Sequence, residues 1–262
     1  MHGMSQIHEW RIPPEEIALN DGEAHVWRSS IIQEPQVVSS LSGLLSPAEK
    51  ERAARFYFLK DRLAFAVARG GLRVILSKYL KVDPRQIDFR YNFHGKPALA
   101  QEMGNDMLRF NLSHSGEIVL YAVSRDREIG IDVEQLKEDF ASQDIAGQFF
   151  APSEVKALLD LPPKLQKQAF FNCWTRKEAF IKAIGEGLSF PLDQFEVSLI
   201  PGLKPKLLSI RGSVSECSKW SLYDLVLKSD YAAAVAVEGE DCQLKFWDFL
   251  PCRSAEEQRL NG

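Results

Sequence analysis

The chain has 262 residues, of which 45% are hydrophobic and 26% charged, and its formal net charge is −4. This composition is typical of a folded protein with one large or two modest domains, and it disfavours disorder and bulk nucleic-acid binding. The four cysteines are isolated and form no C-x-x-C pair, which disfavours a zinc site or a disulfide framework. Since the sequence has neither a run of about 18 apolar residues nor a basic-then-apolar leader, we expect a soluble, cytoplasmic protein.

A long helical pattern is the main feature of the first half. Ser46-Pro47-Ala48-Glu49 predicts its start, because serine caps a helix, proline suits the first position and glutamate three residues after the cap closes a capping box. The pattern runs to about Leu80, with breaks expected near Asp61 and Gly70-Gly71. Val82-Asp83-Pro84 ends it, since the residue before proline avoids the helical region.

The second half combines helices with short strands. A short helix is predicted over residues 153–159 and a longer one over residues 164–184, where Gly185 and Gly187 stop it. The mixture of elements predicts an α+β fold, although no internal repeat is evident in the sequence. Alternating or apolar runs bounded by turn residues predict strands at residues 24–32, 108–112, 118–123, 128–134, 195–200, 205–210, 220–227, 232–237 and 244–249.

Two acidic segments suggest phosphate chemistry when they are taken together. Asp132 and Glu134 lie on one face of a predicted strand, and Glu178 and Lys182 share one face of a predicted helix. Alone, each pair has an ordinary interpretation, as a solvated strand end or a surface ion pair. Combined, the three carboxylates suit magnesium, which prefers oxygen ligands, and Lys177 and Lys182 would neutralise phosphates.

Residues 46–85 form a basic segment, with ten lysines and arginines against four acids in a chain that is acidic overall. Arg55, Arg62 and Arg69 are seven residues apart and would share a face if the helix were continuous. The segment is therefore either a solvated basic helix or an anion-binding surface, for which the planar fork of arginine is well suited.

Two loops carry polar groups of interest. Gly95-Lys96-Pro97 places a lysine at a turn, and residues 111–116 (NLSHSG) bring hydroxyls and His114 together after a strand. Ser113 and Ser115 are not flanked by a G-x-S-x-G nucleophile elbow, which argues against a serine hydrolase.

In order along the chain, these motifs resemble one family. Residues 129–134 (IGIDVE) and 174–182 (WTRKEAFIK) resemble the two-part signature of the 4′-phosphopantetheinyl transferases. The similarity is to the larger, monomeric type that activates carrier domains of peptide, polyketide and fatty-acid synthases. The basic residues 46–57, the turn at residues 95–97 and residues 110–115 fit the same type.

The resemblance implies a pseudo-dimer of two α+β halves with the active site in the cleft between them. Residues 1–125 would form the half with the basic helix, residues 126–250 the half with the acidic metal site, and residues 251–262 a tail. It implies that a carrier serine attacks the β-phosphorus of coenzyme A, so that phosphopantetheine moves to the serine and 3′,5′-ADP leaves. Magnesium is the implied cofactor, with manganese as an alternative, and apo acyl or peptidyl carrier proteins are the implied partners. We expect a monomer that engages neither nucleic acid nor membrane.

The resemblance also implies residue roles, and we expect the acids among them to be accessible in a cleft. Glu178 is the best candidate to accept the serine proton. Catalysis is assigned to Asp132, Glu178 and Lys182. The metal ligands are assigned as Asp132, Glu134 and Glu178. Contacts to coenzyme A are assigned to Arg52, Arg55, Arg62, Lys96, Pro97, Ser113, His114, Lys177 and Lys182.

Two other hypotheses are compatible with parts of the pattern. A non-catalytic relative would keep the fold and bind carrier proteins or coenzyme A without transfer, but it would not need to retain Asp132, Glu178 and Lys182 together. A different magnesium-dependent phosphotransferase predicts a P-loop or a glycine-rich phosphate cradle, and the sequence contains neither. The choice among fatty-acid, polyketide and peptide carriers stays open.

Overall fold

The computed structural model describes residues 8–103, 107–137 and 143–251. No helix in these ranges is both long enough and apolar enough to cross a membrane. The first half contains β1 (Glu23–Ser30), α1 (Pro35–Gly43), α2 (Pro47–Ala54), α3 (Leu59–Leu80), β2 (Phe89–Tyr91), β3 (Pro97–Leu99), β4 (Leu108–Ser115) and β5 (Ile118–Arg125). The second half contains β6 (Ile129–Gln135), α4 (Gln143–Phe149), α5 (Pro152–Leu159), α6 (Pro163–Ile184), β7 (Phe195–Val197), β8 (Leu207–Ile210), β9 (Trp220–Asp224), β10 (Tyr231–Glu238) and β11 (Gln243–Asp248).

The two halves repeat one topology. Each has a strand, two short helices, a helix of 22 residues, a two-stranded hairpin and two further strands. The strand orders β1-β5-β4 and β6-β10-β9 also match, since the third strand lies between the first and the second in both sheets. This repetition is the arrangement expected of a pseudo-dimer. The predicted boundary near residue 125 falls between β5 and β6, but β11 pairs in parallel with β1, so residues 126–250 include one strand of the first sheet.

The molecule has four layers, with a helix outside each of two sheets. Because side chains alternate along a strand, each sheet has an inner and an outer face. Val26 and Leu120 of the first sheet pack against Ile131 and Val235 of the second. The outer face of the first sheet packs against α3, and that of the second packs against α6. The α+β prediction is thus confirmed.

The basic helical pattern is interrupted once, whereas two breaks were predicted. The capping box of Ser46 and Glu49 is present, the break between α2 and α3 lies just before Asp61, and the second break predicted at Gly70-Gly71 is wrong, since α3 continues through both glycines. Gly70 instead allows α1 to pack closely against α3, since a β-carbon on Gly70 would lie 2.6 Å from the carbonyl oxygen of Leu41. Because of the break, Arg55 at the end of α2 does not share a helix with Arg62 and Arg69, which both lie on α3. Helices α1 and α4 occupy segments where the sequence predicted no element.

A buried histidine lies between β1 and α3. Tyr79 Oη accepts a hydrogen bond from Trp27 Nε1 at 2.8 Å and shares a second one with His25 Nδ1 at 2.8 Å, whose direction depends on the imidazole tautomer. His25 is fully buried, and burial lowers its pKa to about 4 despite the nearby Glu23 carboxylate. The imidazole is therefore neutral at physiological pH.

We expect His25 to make the protein acid-sensitive. At pH values between the unfolded pKa of about 6.5 and the folded pKa of about 4, His25 is protonated in the unfolded chain and neutral in the folded chain. The free energy of unfolding should therefore fall by about 3 kcal/mol across this window through His25 alone. Urea titrations from pH 7 to pH 4 should show that His25→Asn loses this slope. Parallel curves for wild type and variant would contradict the prediction.

Candidate functional site

The candidate site lies at a seam between two sheet edges. Strand β4 ends the first sheet and β6 ends the second. Asn111, Ser113 and Ser115, on one face of β4, point across the seam. Asn111 Oδ1 accepts from the Ile131 amide at 3.1 Å, and Ser115 Oγ accepts from the Gln135 amide at 3.1 Å. Side chains of β4 thus accept hydrogen bonds from backbone amides at the edge of β6 that a neighbouring strand would otherwise bind.

Asp132 is the centre of the polar network at this seam. Its Oδ1 accepts from Ser113 Oγ at 2.9 Å and from Lys182 Nζ at 2.6 Å. Ser113 Oγ also lies 2.9 Å from Lys182 Nζ, so the three groups are mutually bonded. Asp132 is only 2% exposed, and the expectation of an accessible acid is wrong for it. Its second oxygen, Oδ2, is buried and has no hydrogen-bond partner among the described residues.

Two further carboxylates are coupled electrostatically to Asp132. Ser115 Oγ donates to Glu134 Oε2 at 2.8 Å. Burial and the Asp132 charge raise the pKa of Glu134, against the opposing effect of that hydrogen bond and of Lys182. Burial and Asp132 likewise raise the pKa of Glu178, with Lys182 opposing. The carboxyl groups therefore repel one another, and an additional cation would stabilise them.

Close packing of α6 on β6 brings these groups together. A β-carbon on Gly130 would lie 2.0 Å from the carbonyl oxygen of Ala179, so only glycine allows the helix to approach this closely. Glu178 and Lys182 are four residues apart and share one helix face. Gly185, with a φ of 73°, ends the helix in the left-handed conformation that glycine favours.

A cavity of about 520 Å³ opens over this network. A second cavity of about 960 Å³ adjoins it and shares Arg52, Tyr91 and Gly95 with it. Both halves of the chain contribute to the first cavity, so the predicted cleft is present. Its lining includes Arg52, Phe65, Arg69, Tyr91, Gly95, Pro97, Ser113 and His114 from the first half and Asp132, Glu134, Trp174, Glu178 and Lys182 from the second.

His114 lies at the exposed rim of the first cavity. Although the residue is exposed, the cavity walls desolvate the imidazole. This desolvation and the Lys182 ammonium lower the pKa of His114, while Asp61 acts in the opposite direction. The imidazole is therefore neutral near pH 7. In this form, one ring nitrogen can donate a hydrogen bond and the other can accept one.

Lys177 is absent from the cavity, and its assignment as a phosphate contact is wrong. Its side chain is 1% exposed and points into the second half, where Nζ lies 2.8 Å from Glu154 Oε2. The ammonium also donates to the carbonyl oxygens of Leu192 and Phe195, at 2.7 and 2.5 Å. Adjacent helical residues point in directions about 100° apart, so Lys177 cannot share the face of Glu178.

Other predicted contacts to coenzyme A occupy different surroundings. Lys96 Nζ donates to Glu128 at 2.6 Å and to the Ala183 carbonyl oxygen at 2.5 Å, so its charge is already paired, although its neighbours in the turn line the cavity. Arg55 lines only the second of the two cavities. Arg62 is exposed and lines neither of them.

Several lining residues were not predicted as functional. Trp174 was not among the assigned site residues, yet it lines the cavity while stacking on Phe170 with ring centroids 6.2 Å apart. Its place at the start of residues 174–182 was the available signal. Arg69 had been noted only for its spacing in the basic segment, and Tyr91 carried no signal, because long-range pairing brings both residues to the cavity.

The donor chemistry of the site suits a hard divalent cation. Within the described residues, no three His, Cys, Asp or Glu side chains are gathered closely enough to hold a metal ion. Instead, the Lys182 ammonium lies against Asp132 Oδ1. The unpartnered Oδ2 and the raised pKa values of Glu134 and Glu178 nevertheless identify three carboxyl groups with unused acceptor capacity.

Comparisons with known proteins agree with the motifs. Residues 128–236 match the family described as 4′-phosphopantetheinyl transferase superfamily, and residues 30–126 match 4′-phosphopantetheinyl transferase, N-terminal. The chain is 39% identical over 242 residues to 4′-phosphopantetheinyl transferase HetI of Nostoc sp., covering 92% of this chain and 99% of that protein. It is 36% identical over 155 residues to 4′-phosphopantetheinyl transferase Sfp of Bacillus subtilis, covering 59% and 66%. The crystal structure of Helicobacter pylori holo-[acyl-carrier-protein] synthase in complex with coenzyme A is 21% identical, with a TM-score of 0.34, over 42% of this chain and 99% of that one.

Proposed function

Because this chain belongs to the 4′-phosphopantetheinyl transferase superfamily, we propose that it transfers 4′-phosphopantetheine from coenzyme A to a serine of an apo carrier protein. The observation that best supports this reaction is the shared cavity. Ser113 and His114 from one half meet Asp132, Glu178 and Lys182 from the other around one space.

In this proposal, Glu178 accepts the proton of the carrier serine, for which its raised pKa is suited. The serine oxygen forms a bond to the β-phosphorus, and the bond between that phosphorus and the bridging oxygen breaks. The bridging oxygen keeps the electron pair and leaves with 3′,5′-ADP. Lys182, Ser113 and His114 neutralise or donate to the phosphate oxygens as their charge develops.

Magnesium is the proposed cofactor, with manganese as an alternative. Asp132, Glu134 and Glu178 would hold it, and when bound it would neutralise the diphosphate charge. We further propose that the protein acts as a monomer in the cytoplasm and engages neither nucleic acid nor membrane. The topological duplication supports the monomer, because one chain supplies both walls of the cavity.

Intact-mass spectrometry tests this function directly. Apo acyl and peptidyl carrier proteins are incubated with the protein and coenzyme A, with magnesium or with EDTA. We expect the carrier mass to increase by one phosphopantetheine with magnesium and to stay unchanged with EDTA, because the carboxylates then lack their cation. A carrier that binds but is never modified would favour the non-catalytic relative. Equal modification in EDTA would overturn the metal assignment alone.

A further inference from the structure

The repeated topology includes a repeated buried carboxylate. Helices α2 and α5 both have proline at their first position and a glutamate at their third, Glu49 and Glu154, which are 4% and 3% exposed. Each carboxylate accepts from the backbone amide that precedes its helix, that of Ser46 at 2.9 Å and that of Ala151 at 2.8 Å. The two glutamates therefore occupy equivalent places in the two halves.

Each glutamate pairs with a cation at the fifteenth position of the following long helix. In α3 this residue is Arg73 and in α6 it is Lys177, and both side chains are almost fully buried. Arg73 lies over Phe89 and Lys177 over Phe195, the first residues of equivalent strands. Each cation also donates to two carbonyl oxygens just before that strand or at its start, those of Pro84 and Ile87 in one half and of Leu192 and Phe195 in the other. This cation holds the fold together in both halves.

The halves differ at the eleventh position of the long helices. In α6 this position is Cys173, which is fully buried. In α3 it is Arg69, which is a second cation beside Glu49. The equivalent carboxylate of the second half, Glu154, has the cysteine at this position. Arg69 Nε donates to Glu49 Oε1 at 2.6 Å, Nη2 donates to Tyr91 Oη, and the guanidinium lies 4.2 Å from the Phe89 ring centroid.

The remaining nitrogen of Arg69 faces the candidate site. No described residue accepts a hydrogen bond from Nη1, and this atom is not among the buried unpartnered nitrogens, so it opens onto the cavity that Arg69 lines. Arg52, one turn after Glu49 on α2, lines the same cavity. Two arginines therefore line one cavity, where their guanidinium groups could both contact a bound phosphate.

We propose that Glu49 is a positioning residue that, with Tyr91, aims Arg69 at the 3′-phosphate of coenzyme A beside Arg52. This inference rests on the proposed function. Its physical basis is preorganisation, because a guanidinium held at Nε and Nη2 loses little conformational entropy when Nη1 binds an anion. The Glu49 carboxylate also offsets the repulsion between Arg69 and Arg73, which are four residues apart on α3.

Steady-state kinetics with two phosphopantetheine donors, coenzyme A and 3′-dephospho-coenzyme A, distinguish the positioning role of Glu49 from a purely structural one. Glu49→Gln keeps the shape and the acceptor for the helix cap but cannot accept from both arginines. We expect KM for coenzyme A to rise about tenfold, as for the loss of one charge-assisted hydrogen bond, with kcat nearly unchanged. KM for 3′-dephospho-coenzyme A should stay constant, because that donor lacks the phosphate. Glu154→Gln is the matched control, since it loses the equivalent buried charge at a residue that lines neither cavity, and it should alter neither KM.

Tyr91→Phe provides a second variant that leaves the buried ion pairs intact. Loss of its hydroxyl should raise KM for coenzyme A in the same direction by a smaller factor, about threefold. If Glu49→Gln does not fold, this variant decides the question. Equal effects of Glu49→Gln and Glu154→Gln on both donors, or an unchanged donor preference in Tyr91→Phe, would overturn the role of Glu49. Wild-type protein that transfers from neither donor would instead refute the proposed function.

Discussion

Asp132→Asn should lower the rate of transfer by roughly 10²- to 10³-fold, the loss seen when a preorganised charge interaction is removed from an active site. The carboxylate accepts from Ser113 and Lys182 on one oxygen, and its second oxygen is buried without a hydrogen-bond partner among the described residues. Asparagine keeps the shape but removes the negative charge that orients Lys182 and would attract the metal. Single-turnover measurements with an apo carrier would give the size of the loss.

A matched substitution separates this effect from general damage. Asp248 forms an ion pair with Arg28 at 2.6 Å and lines neither of the two cavities beside the seam. Asp248→Asn should therefore leave the transfer rate close to that of wild type. A wild-type rate for Asp132→Asn, with an unchanged dependence on magnesium, would remove Asp132 from the site.

Lys177→Met should destabilise the folded protein by about 3–5 kcal/mol, the usual cost of leaving a buried charge without its partner. Methionine fills much of the same space, but Glu154 then keeps its buried carboxylate without a cation. Burial raises the pKa of Glu154 even with Lys177 present. Protonation of Glu154 removes the uncompensated charge, so the loss of stability should shrink as the pH falls. Urea unfolding at neutral and at acidic pH would measure both effects.

Lys156→Met is the control for this prediction. Lys156 forms an exposed ion pair with Asp160, and its loss should cost no more than about 0.5 kcal/mol. Folded Lys177→Met protein should still transfer phosphopantetheine, because Lys177 does not reach the cavity. A variant that is stable but inactive would reverse this interpretation and restore Lys177 to the phosphate site.

Local patterns allowed much of the fold to be predicted. The capping box of Ser46 and Glu49 is decided by residues within one turn, and the alternation of apolar residues around Asp132 is decided by residues within one strand. Glu178 and Lys182 were placed on one face because helical periodicity needs no tertiary information. The strand that carries Asp132 and the helix that carries Glu178 and Lys182 are therefore the parts of the site that could be predicted from the motifs.

The remaining features depend on contacts between distant residues. The duplication is absent from the sequence because equivalent places hold different chemistry, such as Arg73 and Lys177, or Arg69 and Cys173. Lys177 was assigned to phosphate because its motif is contiguous, whereas the direction of its side chain depends on the packing of α5 and α6. Asn111 was not singled out, since its role exists only where β4 meets β6.

The pairing of β11 with β1 has a consequence for how the chain is made. The paired residues are 220 positions apart, from Glu23 with Gln243 to Arg28 with Asp248. During synthesis, β1 cannot pair with β11 until residues 243–248 have been made. The unpaired edge of β1 can meanwhile pair with strands of other chains. Such distant contacts also slow folding. A truncation before Gln243 would leave that edge open permanently, and it should yield aggregates even though every residue of the acidic seam is retained.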